Sequence, residues 1–452
     1  MQSDNRKSKG SQSEEEMARH HGTESRGAMT FVPVGLNMQK FQLSPISCTC
    51  RRFYVQICLL LVIVVLVVLI RAISNVRVMF EEYHMASDTD GELVVLPQRF
   101  AQSRSAFCLD GSAPGYYIRY GQFPGNTNWI IYLSPGAWCS TPAECYNRSF
   151  TALGSSVIAP IFFPFTGILS ASEEENPDFY RWNMVNVLYC DGGSFLGNRP
   201  EPLIYQGKPL YLRGTQVLAA IIEYLQINTN FGAAEKVILA GSSAGGLAAL
   251  INVDHLRKKL VSVKSIHALL DGMLFLDSQN IYGKHKMQDT LKDVFHLHKI
   301  ADAPAIQECT SSLTSSIAYR CMDPLYFYNY LFTPVFLISS LHDSWYINHA
   351  LAITCPFKKC PPQEIIVIDE YKSATLRALQ PVKQSVHDGL FITSCPAHSL
   401  LLTKWFSQQA VSVNNSSLQQ ALSKWYHHQH PVKYIEDRQF SQKIHTCKTV
   451  TY

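Results

Sequence analysis

Hydrophobic positions along this chain form one long unbroken run, followed by a series of short blocks separated by polar and helix-forming stretches. The long run, FYVQICLLLVIVVLVVLIRAI from Phe53 to Ile73, is interrupted only by Gln56 near one end and Arg71 near the other. About twenty residues of helix cross a hydrocarbon core, and a terminal arginine can snorkel to the interface. A core helix is seldom apolar on every face, so this run predicts a transmembrane helix. The short blocks read as strands. Asn128 to Leu133 (NWIIYL) ends at Ser134-Pro135-Gly136-Ala137, and Met184 to Tyr189 (MVNVLY) ends at Cys190-Asp191-Gly192-Gly193. A helical stretch from Thr215 to Gln226 precedes a strand at Lys236 to Ala240; further strands follow at Ser265 to Leu270 and Thr333 to Ser339. Short apolar strands alternating with helices predict an α/β domain, its mostly parallel sheet covered by helices on both faces. Functional residues of such sheets gather at the carboxyl ends of the strands.

The same pattern divides the chain. Residues 1–52 are rich in Ser, Glu, Lys, Arg and Gln and read as a disordered tail. Residues 53–73 form the membrane anchor, 74–100 a stalk, and 101–452 one sizeable domain with no Pro/Gly/Ser linker to split it. Arg51 and Arg52 abut the anchor, with Lys40 upstream, whereas Arg71 and Arg77 on the other side give way to Glu81 and Glu82. The basic excess keeps the N-terminus cytosolic, which makes a type II signal anchor with the domain lumenal or extracellular, at the Golgi or plasma membrane. Cleavage near Ala72 and Ser74, giving a secreted protein, is the alternative, but the polar segment ahead of the run is far too long for an ordinary signal peptide.

The net charge of +4 is small, and no basic stripe interleaved with aromatics appears, which argues against a nucleic-acid partner. Cys48, Cys50 and Cys58 lie before or inside the anchor, the first two as palmitoylation candidates. The other ten cysteines follow it, an even set that predicts disulfides in an oxidising compartment. Cys139/Cys145 and Cys309/Cys321 are natural pairs, while the full connectivity stays open. No C-x₂-C pair among the ten suggests a metal. Asn147, Asn414 and Asn415 begin glycosylation sequons.

The chemistry centres on Lys236 to Leu256, KVILAGSSAGGLAALINVDHL. A strand runs into Gly241-Ser242-Ser243-Ala244-Gly245 and then a helix, the strand–turn–helix order of a nucleophile elbow. Ser243 is the expected nucleophile, and the N–H of Ala244 opens the helix where an oxyanion would form. A serine needs a base oriented by an acid, in the chain order Ser, Asp or Glu, His. Asp343 follows a late strand and His398 precedes a helix-forming segment, so these are the expected partners. Asp271 is a rival acid at another strand end; His387 adjoins a turn signature, and His427, His428 and His430 read as a solvated cluster. Gly136 and Ala137 occupy the loop expected to donate the other oxyanion hydrogen bonds, with Trp138 as a candidate pocket wall.

Several blocks together resemble one family over nearly the whole domain. They are Cys108-Leu109-Asp110-Gly111-Ser112 with Pro114-Gly115-Tyr116, the strand and loop reaching Trp138-Cys139, Asn176-Pro177-Asp178-Phe179, Tyr189-Cys190-Asp191-Gly192, Gly241 to Gly246 with Asn252-Val253-Asp254, TPVFLISSLHDSWYI and LFITSCPAH. In order and spacing they are similar to pectin acetylesterases, a family that also contains the Wnt deacylase Notum. The resemblance implies a disulfide-containing α/β-hydrolase fold and a serine carboxylesterase needing no metal or cofactor. Nucleophile, acid and base map to Ser243, Asp343 and His398, and oxyanion donors to Gly136, Ala137 and Ala244. The Tyr189-Cys190-Asp191-Gly192 block resembles the polysaccharide-deacetylating branch, so the expected substrate is an O-acetyl group on a glycan. The alternatives are removal of a fatty acyl group from a lipidated protein, and an inactive glycan-binding or scaffold protein. One departure stands out: where the family usually has Leu-Glu-Gly-Gly, this chain has Leu133-Ser134-Pro135-Gly136-Ala137. Proline supplies no N–H, and alanine admits fewer backbone conformations than glycine.

Overall fold

The computed structural model describes residues 48–408, 411–428, 431–443 and 447. The tail to residue 47 (with Lys40), His430, and the side chains of Cys48, Cys50, Arg51, Arg52, Arg77, Glu81 and Glu82 lie outside that set. Two units are distinguished, one up to Asn75 and one from Val76 onward. Helix α1 (Cys48–Thr89) begins in the first and carries there the apolar stretch Val55–Ser74, with a mean hydropathy of 3.2 and none of it buried against protein. The helix continues past Ile73 because no Gly or Pro interrupts the sequence before Gly91.

The second unit is built on a ten-stranded sheet in the order β12-β11-β10-β9-β8-β3-β5-β2-β1-β4. Its strands are β1 (Gly91–Val95), β2 (Gly115–Arg119), β3 (Asn128–Leu133), β4 (Phe162–Phe163), β5 (Asn183–Val187), β8 (Lys236–Ser242), β9 (Ser265–Asp271), β10 (Val335–Ser340), β11 (Gly389–Thr393) and β12 (Lys433–Ile435). The strands β6 (Leu203–Tyr205) and β7 (Lys208–Leu210) form a separate hairpin. From β12 to β5 every neighbour is parallel, and β2, β1 and β4 add an antiparallel edge. The sheet therefore starts at Gly91, earlier than the boundary at 101. A short strand of sequence GELVV behind an acidic, helix-compatible segment carries too little apolar signal to be separated from a stalk.

Side chains alternate across the sheet into two cores. Trp129, Ile131 and Leu133 join Val237 and Leu239 on one face, packed with α2 (Gly214–Asn228) and α3 (Ala244–Lys259). Ile130, Tyr132, Ile238 and Ala240 face the other way, toward Leu400, Trp405 and Leu418. Burial on both sides explains why β3 and β8 read as nearly continuous apolar runs. Five disulfides pair all ten cysteines after the anchor: the two expected pairs, Cys139–Cys145 and Cys309–Cys321, together with Cys108–Cys190, Cys355–Cys360 and Cys395–Cys447. Asn147, Asn414 and Asn415 are exposed.

Candidate active site

β8 turns sharply into α3 at Ser243, whose φ of 56° and ψ of −127° lie where non-glycine residues are strained. Only glycine allows the crossing. A Cβ on Gly241 would sit 2.2 Å from the Gly245 carbonyl oxygen, and one on Gly245 would sit 2.1 Å from that of Leu133. Ser243 is held by its own amide, which donates to the Asp271 carbonyl at 2.8 Å. Its hydroxyl oxygen is 2.7 Å from His398 Nε2, across 155 residues of sequence.

His398 and Asp343 complete the line. His398 Nδ1 lies 2.8 Å from Asp343 Oδ2 and 3.0 Å from Oδ1. An ionised carboxylate only accepts, so Nδ1 carries the proton and Nε2 presents its lone pair to the serine. Asp343 is fixed in turn as the N-cap of the helix Ser344–His349, accepting from the Tyr346 amide at 2.9 Å. Burial opposes a charge on His398, but the charge and hydrogen bond of Asp343, with the charge of Asp271, outweigh it and hold the imidazole above its ordinary pKa. A hydroxyl, a base and an orienting acid so arranged can support nucleophilic acyl transfer.

Asp271, His387 and His427 lie outside this hydrogen-bonded line. Asp271 is fully buried at the end of β9, bonded to Ser242 and to the amides of Leu400 and Leu401. His387 is exposed, and His427 pairs with Asp178 at 3.0 Å.

The loop after β3 carries Gly136, Ala137 and Trp138. The carbonyls of these three residues are taken: Arg148 donates to Gly136 O at 2.8 Å and to Trp138 O at 3.0 Å, and the Tyr189 hydroxyl donates to Ala137 O at 2.6 Å. Among the described residues no acceptor takes the amides of Gly136 or Ala137. The Ala244 amide, at the first position of α3, lacks an intrahelical partner as every helix start does. Carbonyls fastened from behind with amides left open suit an oxyanion. The departure from the family pattern has a visible consequence, since Ala137 has a φ of 50° where glycine would be unstrained. Gly136 cannot be replaced freely, because a Cβ there would lie 2.1 Å from the Tyr189 ring.

Trp138 is nearly buried; its Nε1 donates to Ser194 Oγ at 2.7 Å, and that hydroxyl donates to Ala244 O at 2.9 Å. Its ring meets Phe275 edge-on at 4.8 Å and Trp345 at 6.3 Å, and Trp345 stacks on His398 at 5.5 Å. Arg148, Tyr189, Ser194 and Trp345 escape a reading of the sequence. Only Trp345, two residues after the expected acid, carried a positional hint. Behind the loop, Asp191 accepts from the amides of Gly193 and Phe195, and burial pushes its carboxyl up to about 7.

The chain is similar to known esterases in sequence and in fold. Pectin acetylesterase 5 of Arabidopsis thaliana is 35% identical over 74% of this chain and 81% of its own length. The palmitoleoyl-protein carboxylesterase NOTUM of Schmidtea mediterranea is 28% identical over 73% of this chain and 62% of its own. The solved structure of the Wnt deacylase Notum from Drosophila aligns with a TM-score of 0.69 at 26% identity, covering 80% of this chain and 100% of that one. Residues 86–448 match the family model for pectinacetylesterase, so this chain belongs to the pectinacetylesterase family and is a carboxylic-ester hydrolase.

Proposed function

We propose that the protein is a membrane-anchored serine esterase that removes O-acetyl groups from polysaccharide. The observation that carries the reading is the hydrogen-bonded line Ser243–His398–Asp343 beside the open amides of Gly136, Ala137 and Ala244. Ser243 Oγ attacks the ester carbonyl while His398 Nε2 takes its proton, and the carbonyl oxygen becomes an anion facing the three amides. Collapse breaks the bond to the sugar oxygen, which leaves with the proton from His398, and acetate stays on Ser243. Water, deprotonated by His398, then releases acetate and restores the hydroxyl.

Acetyl is favoured over a fatty acyl group on two grounds. Pectin acetylesterase 5 is the nearer in sequence, at 35% against 28% for planarian NOTUM. In addition, Trp138, Phe275 and Trp345 pack edge to face beside His398, filling space that a long chain would need. Five disulfides and exposed sequons fit a lumenal or extracellular domain, and the apolar stretch Val55–Ser74 fits a type II anchor.

The test is hydrolysis of nitrophenyl esters from acetyl to octanoyl, with acetylated polysaccharides alongside. Acetate release that falls with chain length and vanishes in Ser243→Ala supports the proposal. A preference for octanoyl would move the reading to a protein deacylase. If a serine-directed fluorophosphonate labels neither the wild type nor Ser243→Ala, the scaffold alternative holds.

A further inference from the structure

Asp271 touches both arms of the triad without belonging to it. It ends β9, opposite Ser242 in the register with β8, and its backbone carbonyl accepts the Ser243 amide at 2.8 Å. Its carboxylate Oδ2 accepts three hydrogen bonds, from Ser242 Oγ at 2.7 Å, Leu400 N at 2.8 Å and Leu401 N at 3.0 Å. The first donor adjoins the nucleophile and the other two follow His398. Gly272, with a φ of 58°, lies so close beneath the histidine loop that a Cβ would meet the His398 carbonyl at 2.0 Å. Oδ1 has no hydrogen-bond partner among the described residues, in a side chain with 0% exposure.

An unpartnered carboxylate oxygen at full burial is costly, and a purely structural link between two loops does not need a charge. An amide could accept the same three bonds through its carbonyl. We propose that Asp271 is a positioning residue: its carboxylate fastens the His398 loop to the nucleophile elbow and supplies a second buried negative charge beside the imidazolium that forms during attack. The inference rests on the triad proposed above.

The charged and titratable groups around the pair are few. His398 faces Asp343 at the start of the helix Ser344–His349, Asp271 on β9 and the Ser243 hydroxyl; the Trp345 ring that covers it is neutral. Asp271 faces Ser242 on β8, the Tyr132 phenol on β3 and His398. Burial pushes the Asp271 carboxyl up to about 6, against the pull of its three donors, so it is ionised in the neutral range where an esterase base works. Its charge is among those that raise the pKa of His398.

Asp271→Asn keeps an acceptor for the three donors and removes the charge. Two readouts are taken on the purified protein: NMR titration of the His398 ring, which needs no turnover, and the pH profile of kcat/KM on nitrophenyl acetate. The expected result is a lower ring midpoint, an acid limb moved the same way, a kcat reduced by about tenfold and a KM little changed. A folded variant whose ring titrates as in the wild type overturns the proposal. Should Asp271→Asn fail to fold, Ser242→Ala decides: with two donors in place of three, the carboxylate takes up its proton at higher pH, so kcat falls more at pH 6 than at pH 8. A parallel profile in that variant also overturns it. Absence of turnover in the wild type would count against the esterase reading instead, since the ring titration stands by itself.

Discussion

Trp345 separates the two esterase readings, and replacing it with alanine should change which acyl chain the site accepts. In the wild type its indole lies flat against His398 at 24° and meets Trp138 and Phe275 edge-on. Phe275 also lines a cavity of about 280 Å³ with Leu291, Ile317 and Tyr319. Removing the indole takes away one ring of this cluster and leaves room beside His398, against which it stacks. Each methylene that enters apolar surroundings is worth about 0.8 kcal/mol, so the four that distinguish hexanoyl from acetyl are worth up to about 3 kcal/mol. That corresponds to roughly two orders of magnitude in kcat/KM. Asp277, Arg320 and Asp323 make part of the cavity wall polar, which places the expected gain nearer tenfold. Loss of the stack on His398 lowers turnover of every ester, so the measured quantity is the hexanoyl-to-acetyl ratio of kcat/KM, in which that loss cancels. A ratio rising at least tenfold is expected. An unchanged ratio in a folded variant that still reacts with fluorophosphonate would refute the idea that this indole limits chain length.

Further outcomes follow from the same structure. Gly136→Ala should lower kcat by about 10²–10³ with little change in KM, because its Cβ collides with the Tyr189 ring and displaces the oxyanion loop; steady-state kinetics read both. The acid limb of kcat/KM should lie above pH 6.5, since catalysis needs neutral His398 and its pKa is raised; Asp343→Asn should bring that limb down and cost kcat about 10⁴. The sign for stability is opposite: the imidazolium form stabilises the fold fully below the unfolded value of about 6.5, and this contribution is lost as pH rises through the folded value, which denaturant midpoints across that range will show. A chain beginning at Asp90 should fold and stay soluble, whereas one beginning at Ala101 loses β1, leaves β2 with an open edge and should aggregate, as gel filtration would reveal.

Much of this protein was legible before any coordinates. The membrane-length run, the order of strands and helices, and the elbow around Ser243 are local features, set by hydropathy, periodicity and glycine at fixed offsets. The resemblance in separate blocks singled out Asp343 and His398 from their rivals. Tertiary structure decided what depends on residues distant in sequence. It seats His398 between Ser243 and Asp343, buries Asp271 under both loops, and ties the carbonyls of the loop after β3 to Arg148 and Tyr189. It also draws β1 out of an apparent stalk and joins Cys395 to Cys447. The physical reason is the same in each case. A strand or a turn is stabilised largely by its own neighbours along the chain, whereas a hydrogen bond across the sheet exists only once both partners have been packed into place.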